Sequence, residues 1–125
     1  MLVTEQEVSE IKKFILQLNV NEKNVVIVEG KRDSAALKKI GYSGKVLEFH
    51  KFGGMIKFVD SVAKYEKIII LFDGDKKGRH LTGKAIQLLE RRTKIDLSYK
   101  RKLREISRGK IKFIEQLVCY EPYLV

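Results

Sequence analysis

Apolar side chains recur along this chain in two rhythms, and the switching between them predicts an α/β fold. Val8, Ile11, Ile15 and Leu18 follow one another at three- and four-residue steps, with Phe14 beside them. That spacing lays one apolar stripe on a helix of about four turns. Thr4-Glu5-Gln6-Glu7 precedes it with the spacing of a capping box, a hydroxyl and a carboxylate placed to satisfy the free N–H groups of the first turn. The stripe is expected to pack against the rest of the domain.

A different pattern follows. Val25-Val26-Ile27-Val28 is short, β-branched and uncharged, as a strand buried on both faces should be. Ala35, Ala36, Leu37 and Ile40 then predict a helix over 32–40, with Gly41 placed to stop it. Residues 45–49 read as a second strand, and Gly53-Gly54 opens a helix carrying Met55, Val59, Val62 and Ala63. Residues 67–72, centred on Ile68-Ile69-Ile70-Leu71, are the third strand and the most apolar stretch of the chain. After a loop over 73–79, Leu81, Ala85, Leu88 and Leu89 mark another helix. Tyr99, Leu103 and Ile106 place an inward face on a basic helix, and 110–114 is expected as the fourth strand. Strands alternating with helices give βαβ units. The expected fold is therefore a Rossmann-like, mainly parallel four-stranded sheet flanked by helices, with an extra N-terminal amphipathic helix. The whole chain, 1–125, is expected to form a single free-standing domain: a helix over 1–21, a core over 22–116 with a basic final third, and an apolar tail over 117–125.

Charge adds a partner to this picture. Lys and Arg number 26 against 16 Asp and Glu, a net charge of +10 that draws polyanions. The charge is uneven: residues 1–24 hold three Lys and four Glu, whereas 91–112 hold ten Lys or Arg and only Asp96 and Glu105. On composition alone this fits a generic basic surface as well as a nucleic-acid binder; a polyanion such as RNA or DNA, engaged through its phosphate backbone, is expected to meet the C-terminal third. Cys119 is the only cysteine, so neither an internal disulfide nor a Cys-rich zinc cluster is available. No apolar run approaches the ~20 residues of a membrane helix, and the charged first residues are not a signal peptide. A soluble, cytoplasmic protein is expected, with no membrane partner.

The candidate chemistry lies where strands end. Glu29 follows Val28, and Asp73 and Asp75 follow Phe72. Ligands of open parallel sheets bind outside the carboxyl ends of the strands, so neighbouring strands would bring the three acids together there. Asp73 and Asp75 are two apart, and an extended backbone aims both the same way. Such acids either take up protons or hold a cation, and Mg²⁺, with Mn²⁺ as substitute, suits carboxylates. Zinc and copper favour His or Cys, of which the chain has only His50, His80 and Cys119. Taken singly, each motif also reads as a polar turn.

Val28-Glu29-Gly30-Lys31-Arg32-Asp33, followed about forty residues on by Phe72-Asp73-Gly74-Asp75-Lys76-Lys77-Gly78-Arg79, resembles the two signature motifs of the Toprim family. That family includes the catalytic cores of bacterial-type primases, type IA and II topoisomerases, and small nucleases that mature ribosomal RNA. The second motif is most similar to the primase branch. The resemblance runs from about Val25 to Leu89 and implies roles by position. Glu29 would transfer a proton or assist the metal, Asp73 and Asp75 would bind Mg²⁺, and Asp33 would be an auxiliary acid or a helix cap. The chain carries no tyrosine-bearing cleavage domain, zinc ribbon or extended primase core, so neither topoisomerase activity nor templated primer synthesis is implied.

Lys31, Arg32, Lys76, Lys77 and Arg79 lie in or beside the acidic motifs and are candidate phosphate contacts, Arg79 foremost because its fork binds an oxyanion at two points. Lys100, Arg104 and Arg108 repeat every four residues, a basic row if that stretch is helical. Phe52 is a candidate for stacking a base. Two classes of function stand side by side: a Mg²⁺-dependent nuclease on RNA or DNA, and a non-catalytic module that recruits nucleic acid to a larger processing, primase-like or repair complex.

Overall fold

The structure, a computed structural model, describes residues 2–124. Among them the order is α1 (Glu5–Val20), β1 (Val25–Val28), α2 (Lys31–Lys39), β2 (Lys45–Glu48), α3 (Met55–Val62), β3 (Lys67–Ile70), α4 (Lys76–Leu89), β4 (Lys94–Asp96) and α5 (Ser98–Ser107). A short 3₁₀ turn, Phe49–Lys51, follows β2, and a longer 3₁₀ segment, Ile114–Tyr123, completes the order. The strands form one sheet in the order β2-β1-β3-β4, and every pair is parallel.

Period-two alternation divides the central strands between two cores. Val26, Val28, Ile69 and Leu71 face one side, where α1, α2, α5 and the 3₁₀ segment bury Phe14, Leu37, Leu103 and Leu117 against them. Val25, Ile27, Ile68 and Ile70 face the other, under Phe58, Val62, Ala85 and Leu89 of α3 and α4. This double burial is why β1 and β3 carry no charged residue between Val25 and Val28 or between Ile68 and Phe72. The α1 stripe packs as expected, with Ile11, Phe14 and Leu18 fully buried. The Thr4 hydroxyl accepts the Glu7 N–H at 3.1 Å. The buried Glu7 carboxylate also takes bonds from Lys110 Nζ and, at 2.8 Å, from Tyr120 Oη, tying α1 to the C-terminal segment.

Two expectations are corrected. Residues 110–114 form no strand; the fourth strand is β4, an edge strand paired with β3 at Ile68↔Ile95. Because Gly109 turns the chain at φ +78° after α5, the following residues cross over the carboxyl ends of the strands instead of joining the sheet. Helix α4 also begins earlier than expected. Asp75 is its N-cap, so Lys76, Lys77 and Arg79 sit on a first helical turn, not in a loop.

No helix among the described residues is long and apolar enough to cross a membrane.

Candidate metal and phosphate site

Strand order fixes where the acids meet. From β1 the chain moves to β2 on one side and later to β3 on the other, so β1 and β3 flank the switch point of the sheet, the place where open α/β folds hold ligands. Ile27 lies opposite Ile70, and the Leu71 N–H continues the ladder to the Ile27 carbonyl at 2.8 Å. Glu29 and Asp73 therefore leave adjacent strands at the same edge. Asp75 joins them through the loop. One carboxylate oxygen from each of Glu29, Asp73 and Asp75 lies within 4.8 Å of the others.

Backbone donors hold each carboxylate in place. The Asp73 N–H donates to Glu29 Oε2 at 2.7 Å, the Ile114 N–H to Asp73 Oδ1 at 2.8 Å, and the Gly78 N–H to Asp75 Oδ1 at 2.8 Å. Each acid thus spends one oxygen on the fold, and the Glu29 and Asp73 carboxyls also meet each other. Burial pushes the Glu29 carboxyl above its ordinary value; the Asp73 N–H opposes this, and the charges of Asp73 and Asp75 add to it. The Asp73 carboxyl is raised too, first by burial, with the Ile114 N–H and a hydrogen bond to the Glu29 carboxyl opposing and the charges of Asp75 and Glu115 adding. At an effective dielectric near 20, two full charges 4.8 Å apart repel by about 3.5 kcal/mol. A divalent cation relieves that repulsion. The donor set is all oxygen, with no His or Cys in the group, which fits a hard ion such as Mg²⁺ or Mn²⁺ rather than zinc or copper.

Asp33 stands apart from this group. It is buried in the first turn of α2, where its carboxylate accepts the Gly30 N–H at 3.2 Å, the geometry of a cap. Burial, then the charge of Asp73, raises its carboxyl as well.

The cations divide into two sets. Lys31 and Arg32 begin α2, and Lys76 and Lys77 begin α4, all exposed. Cations in a first turn oppose the helix dipole. Here two such turns open beside three carboxylates, a setting that suits phosphate over the acids. Arg32 also reaches Glu115, at 4.0 Å and largely solvated. The second set, Arg79, Lys100 and Arg104, lines a cleft of about 270 Å³ next to the acids. Lys100 is half-buried and donates to Thr82 Oγ1 at 3.1 Å. Burial holds its amine below the ordinary value, Arg104 and Arg79 push the same way, and Glu29 and Asp73 oppose them. The basic row stops at Arg104. Arg108 caps α5 in the left-handed region at φ 54°, and it is not among the residues that line the cleft. Phe52 is taken up by the core edge, its ring 5.4 Å from that of Phe58 in an edge-on contact.

Several participants had no signal in the sequence reading. Lys112 lines the cleft, and its carbonyl accepts the Gly74 N–H at 2.6 Å. The Ile114 donor is main chain, which no residue type announces. Gly78 is the one with a readable signal, a glycine in a first helical turn. A Cβ there would lie 2.0 Å from the Asp73 carbonyl oxygen, so only glycine lets α4 start against the metal-site loop.

A parallel α/β sheet with carboxylates gathered at its switch point defines the class of this protein. The chain belongs to the Toprim domain family, whose profile matches residues 24–114. A Toprim domain implies a nucleic-acid-related, metal-binding function. The chain is similar to a UPF0292 protein of Thermococcus sibiricus, 32% identical over 96% of this chain and 87% of that one. It is similar also to the UPF0292 proteins of Methanosarcina acetivorans, 32% identical over 92% and 82% of the two chains, and of Archaeoglobus fulgidus, 35% identical over 77% and 75%. Among solved structures, a protein from Aquifex aeolicus matches with a TM-score of 0.68 and 28% identity, covering 84% of this chain and 95% of that one.

Proposed function

We propose that the protein is a Mg²⁺-dependent nuclease acting on RNA or DNA. The observation that carries the reading is the meeting of Glu29, Asp73 and Asp75 within 4.8 Å at the switch point of a basic protein. Asp73 and Asp75 would hold the ion through their carboxylates. When bound, it supplies Lewis-acid polarisation of a phosphoryl oxygen and offsets the charge that builds on the phosphate. Glu29, held by the Asp73 N–H, either completes the ion's shell or moves a proton at the scissile ester oxygen. Lys31, Arg32, Lys76 and Lys77 would receive the flanking phosphates, binding backbone without reading sequence.

The test is incubation with labelled structured RNA, single-stranded DNA and duplex DNA, with Mg²⁺ or Mn²⁺ and with chelator. Cleavage that needs metal and disappears in Glu29→Gln and Asp73→Asn is expected. One observation favours a second reading, a non-catalytic RNA- or DNA-binding module of a larger complex. All three carboxylates already accept a main-chain N–H, so the cluster also works as a clasp between β1, the Asp73 loop and the C-terminal segment. Undiminished binding with no cleavage, unaffected by either substitution, would select that module.

A further inference from the structure

We propose that the cleft beside the acids seats one unpaired nucleotide of the bound strand, so that the ligand is single-stranded or frayed at the metal site and not a continuous duplex. The proposal rests on the polynucleotide reading above and names its substrate class.

Position comes first. Phe72 and Gly74 line the cleft and flank Asp73 in sequence, so an occupant lies one step from a phosphate held at the acids. Chemistry comes next. Four cations, Arg79, Lys100, Arg104 and Lys112, border it. Among the described residues none of the four makes a salt bridge; the ion pairs use other cations. The four cations thus have no carboxylate within ion-pair distance, and Lys100 feels Glu29 and Asp73 from further off. Lys100 is not a swinging surface amine. It is anchored on the buried Thr82 hydroxyl, which itself donates to the Gly78 carbonyl at 2.8 Å, in the same helical turn that carries Asp75's bond.

The floor of the cleft is formed by the edges of Phe72, Leu103, Ile111 and Ile114, side chains otherwise buried in the cores. A surface that only tracks a duplex backbone needs cations and no apolar hollow. Cations around an apolar floor suit a phosphate that carries its own sugar and base into the protein, the pattern of single-strand grooves. At about 270 Å³ the space sits just below the roughly 300–1,000 Å³ of pockets for drug-sized ligands, room for one nucleotide and none for a stacked pair.

The experiment is fluorescence anisotropy in chelator, with a short labelled oligothymidylate, its oligouridylate counterpart and a blunt hairpin duplex as probes. Wild type is compared with Arg104→Gln, with Lys100→Gln and with Lys38→Gln. Arg104 is exposed, so its variant folds; Lys38→Gln removes the same charge from the exposed far end of α2. Single strands are expected to bind more tightly than the hairpin. Arg104→Gln and Lys100→Gln should each weaken single-strand binding about tenfold, as loss of a charge-assisted phosphate contact does, while changing hairpin binding no more than Lys38→Gln does. Equal affinity for strand and hairpin, or the same loss on both probes, overturns the nucleotide pocket while leaving metal-dependent cleavage intact. Failure of every probe to bind overturns the polynucleotide reading together with the pocket.

Discussion

At the amino ends of the strands, Lys45 and Lys64 stand over the Tyr65 ring at 5.0 and 5.3 Å, and Lys67 reaches along the sheet to Asp96, the last residue of edge strand β4, at 3.5 Å. Glu22 and Glu66 line the same hollow as these lysines. At the carboxyl ends the charges are sorted instead of mixed. Three acids share one point, four cations share the neighbouring cleft, and none of these cations makes a salt bridge. Where acids and lysines are interleaved, their fields partly cancel even though, among the described residues, only Lys67 there forms an ion pair. Sorted charge is offset only in part, where Lys100 feels Glu29 and Asp73, and suits a cation at the acids and an anion at the bases. The contrast distinguishes the two ends where the net charge of the chain, to which both contribute, does not.

The comparison can be broken most forcefully through the backbone at the carboxyl end. Gly78→Ala, whose Cβ would collide with the Asp73 carbonyl oxygen at 2.0 Å, is expected to cost about 3 kcal/mol or more by chemical denaturation. Gly83→Ala, on the same helix with nothing within 4 Å of the new Cβ, is expected to gain about 0.5–1 kcal/mol.

An aspartate paired with a lysine and one clustered with other acids should respond to the same substitution with opposite signs. Asp96 accepts the Ser98 N–H at 2.8 Å and pairs with Lys67, so Asp96→Asn is expected to lose about 1 kcal/mol. Asp73→Asn relieves repulsion from Glu29 and Asp75, and in chelator it should be neutral or stabilising by up to about 1 kcal/mol, measured the same way.

Acidity sharpens the contrast. Burial works to raise Asp96, but the Ser98 hydroxyl and N–H and the Lys67 charge outweigh it and hold the carboxyl below its ordinary 3.8. Its stabilising effect is therefore present above pH 3.8 and lost as pH falls through the depressed folded value. Asp73 is shifted the other way, by burial first, so in chelator its contribution is lost as pH rises from 3.8 through the raised folded value. Denaturation midpoints against pH should show Asp96→Asn flattening the acid limb and Asp73→Asn flattening the loss above it. The smallest effect is expected at Lys67→Gln, about 0.5 kcal/mol, because the ion pair is partly solvated.

The sequence made the center of the fold readable and left the rim obscure, for physical reasons. β1 and β3 are buried on both faces, so their runs of Val and Ile carry an unmistakable pattern, and each runs on into its acid. β4 is a three-residue edge strand of one apolar residue between two charged ones, too short for any period to show. Residues 110–114 resembled a strand because Ile111 and Ile114 are both buried, yet they are held by the Asp73 loop and not by a neighbouring strand. The tail had no helical or strand rhythm because its buried residues, Ile114, Leu117 and Tyr120, fall at three-residue steps, the period of a 3₁₀ helix. At the site, the acids were legible because side-chain chemistry was at stake. The donors that orient them were not, since Ile114 and Gly78 act through main-chain N–H groups.

Manganese binding puts the sorted-charge account to its most direct trial. Titrating Mn²⁺ into the protein and following water-proton relaxation should reveal one ion per chain in wild type, weakened by more than about tenfold in Asp73→Asn and unchanged in Asp96→Asn. Wild type and Asp73→Asn binding alike, or both aspartate variants losing affinity equally, would contradict a metal site built from Glu29, Asp73 and Asp75.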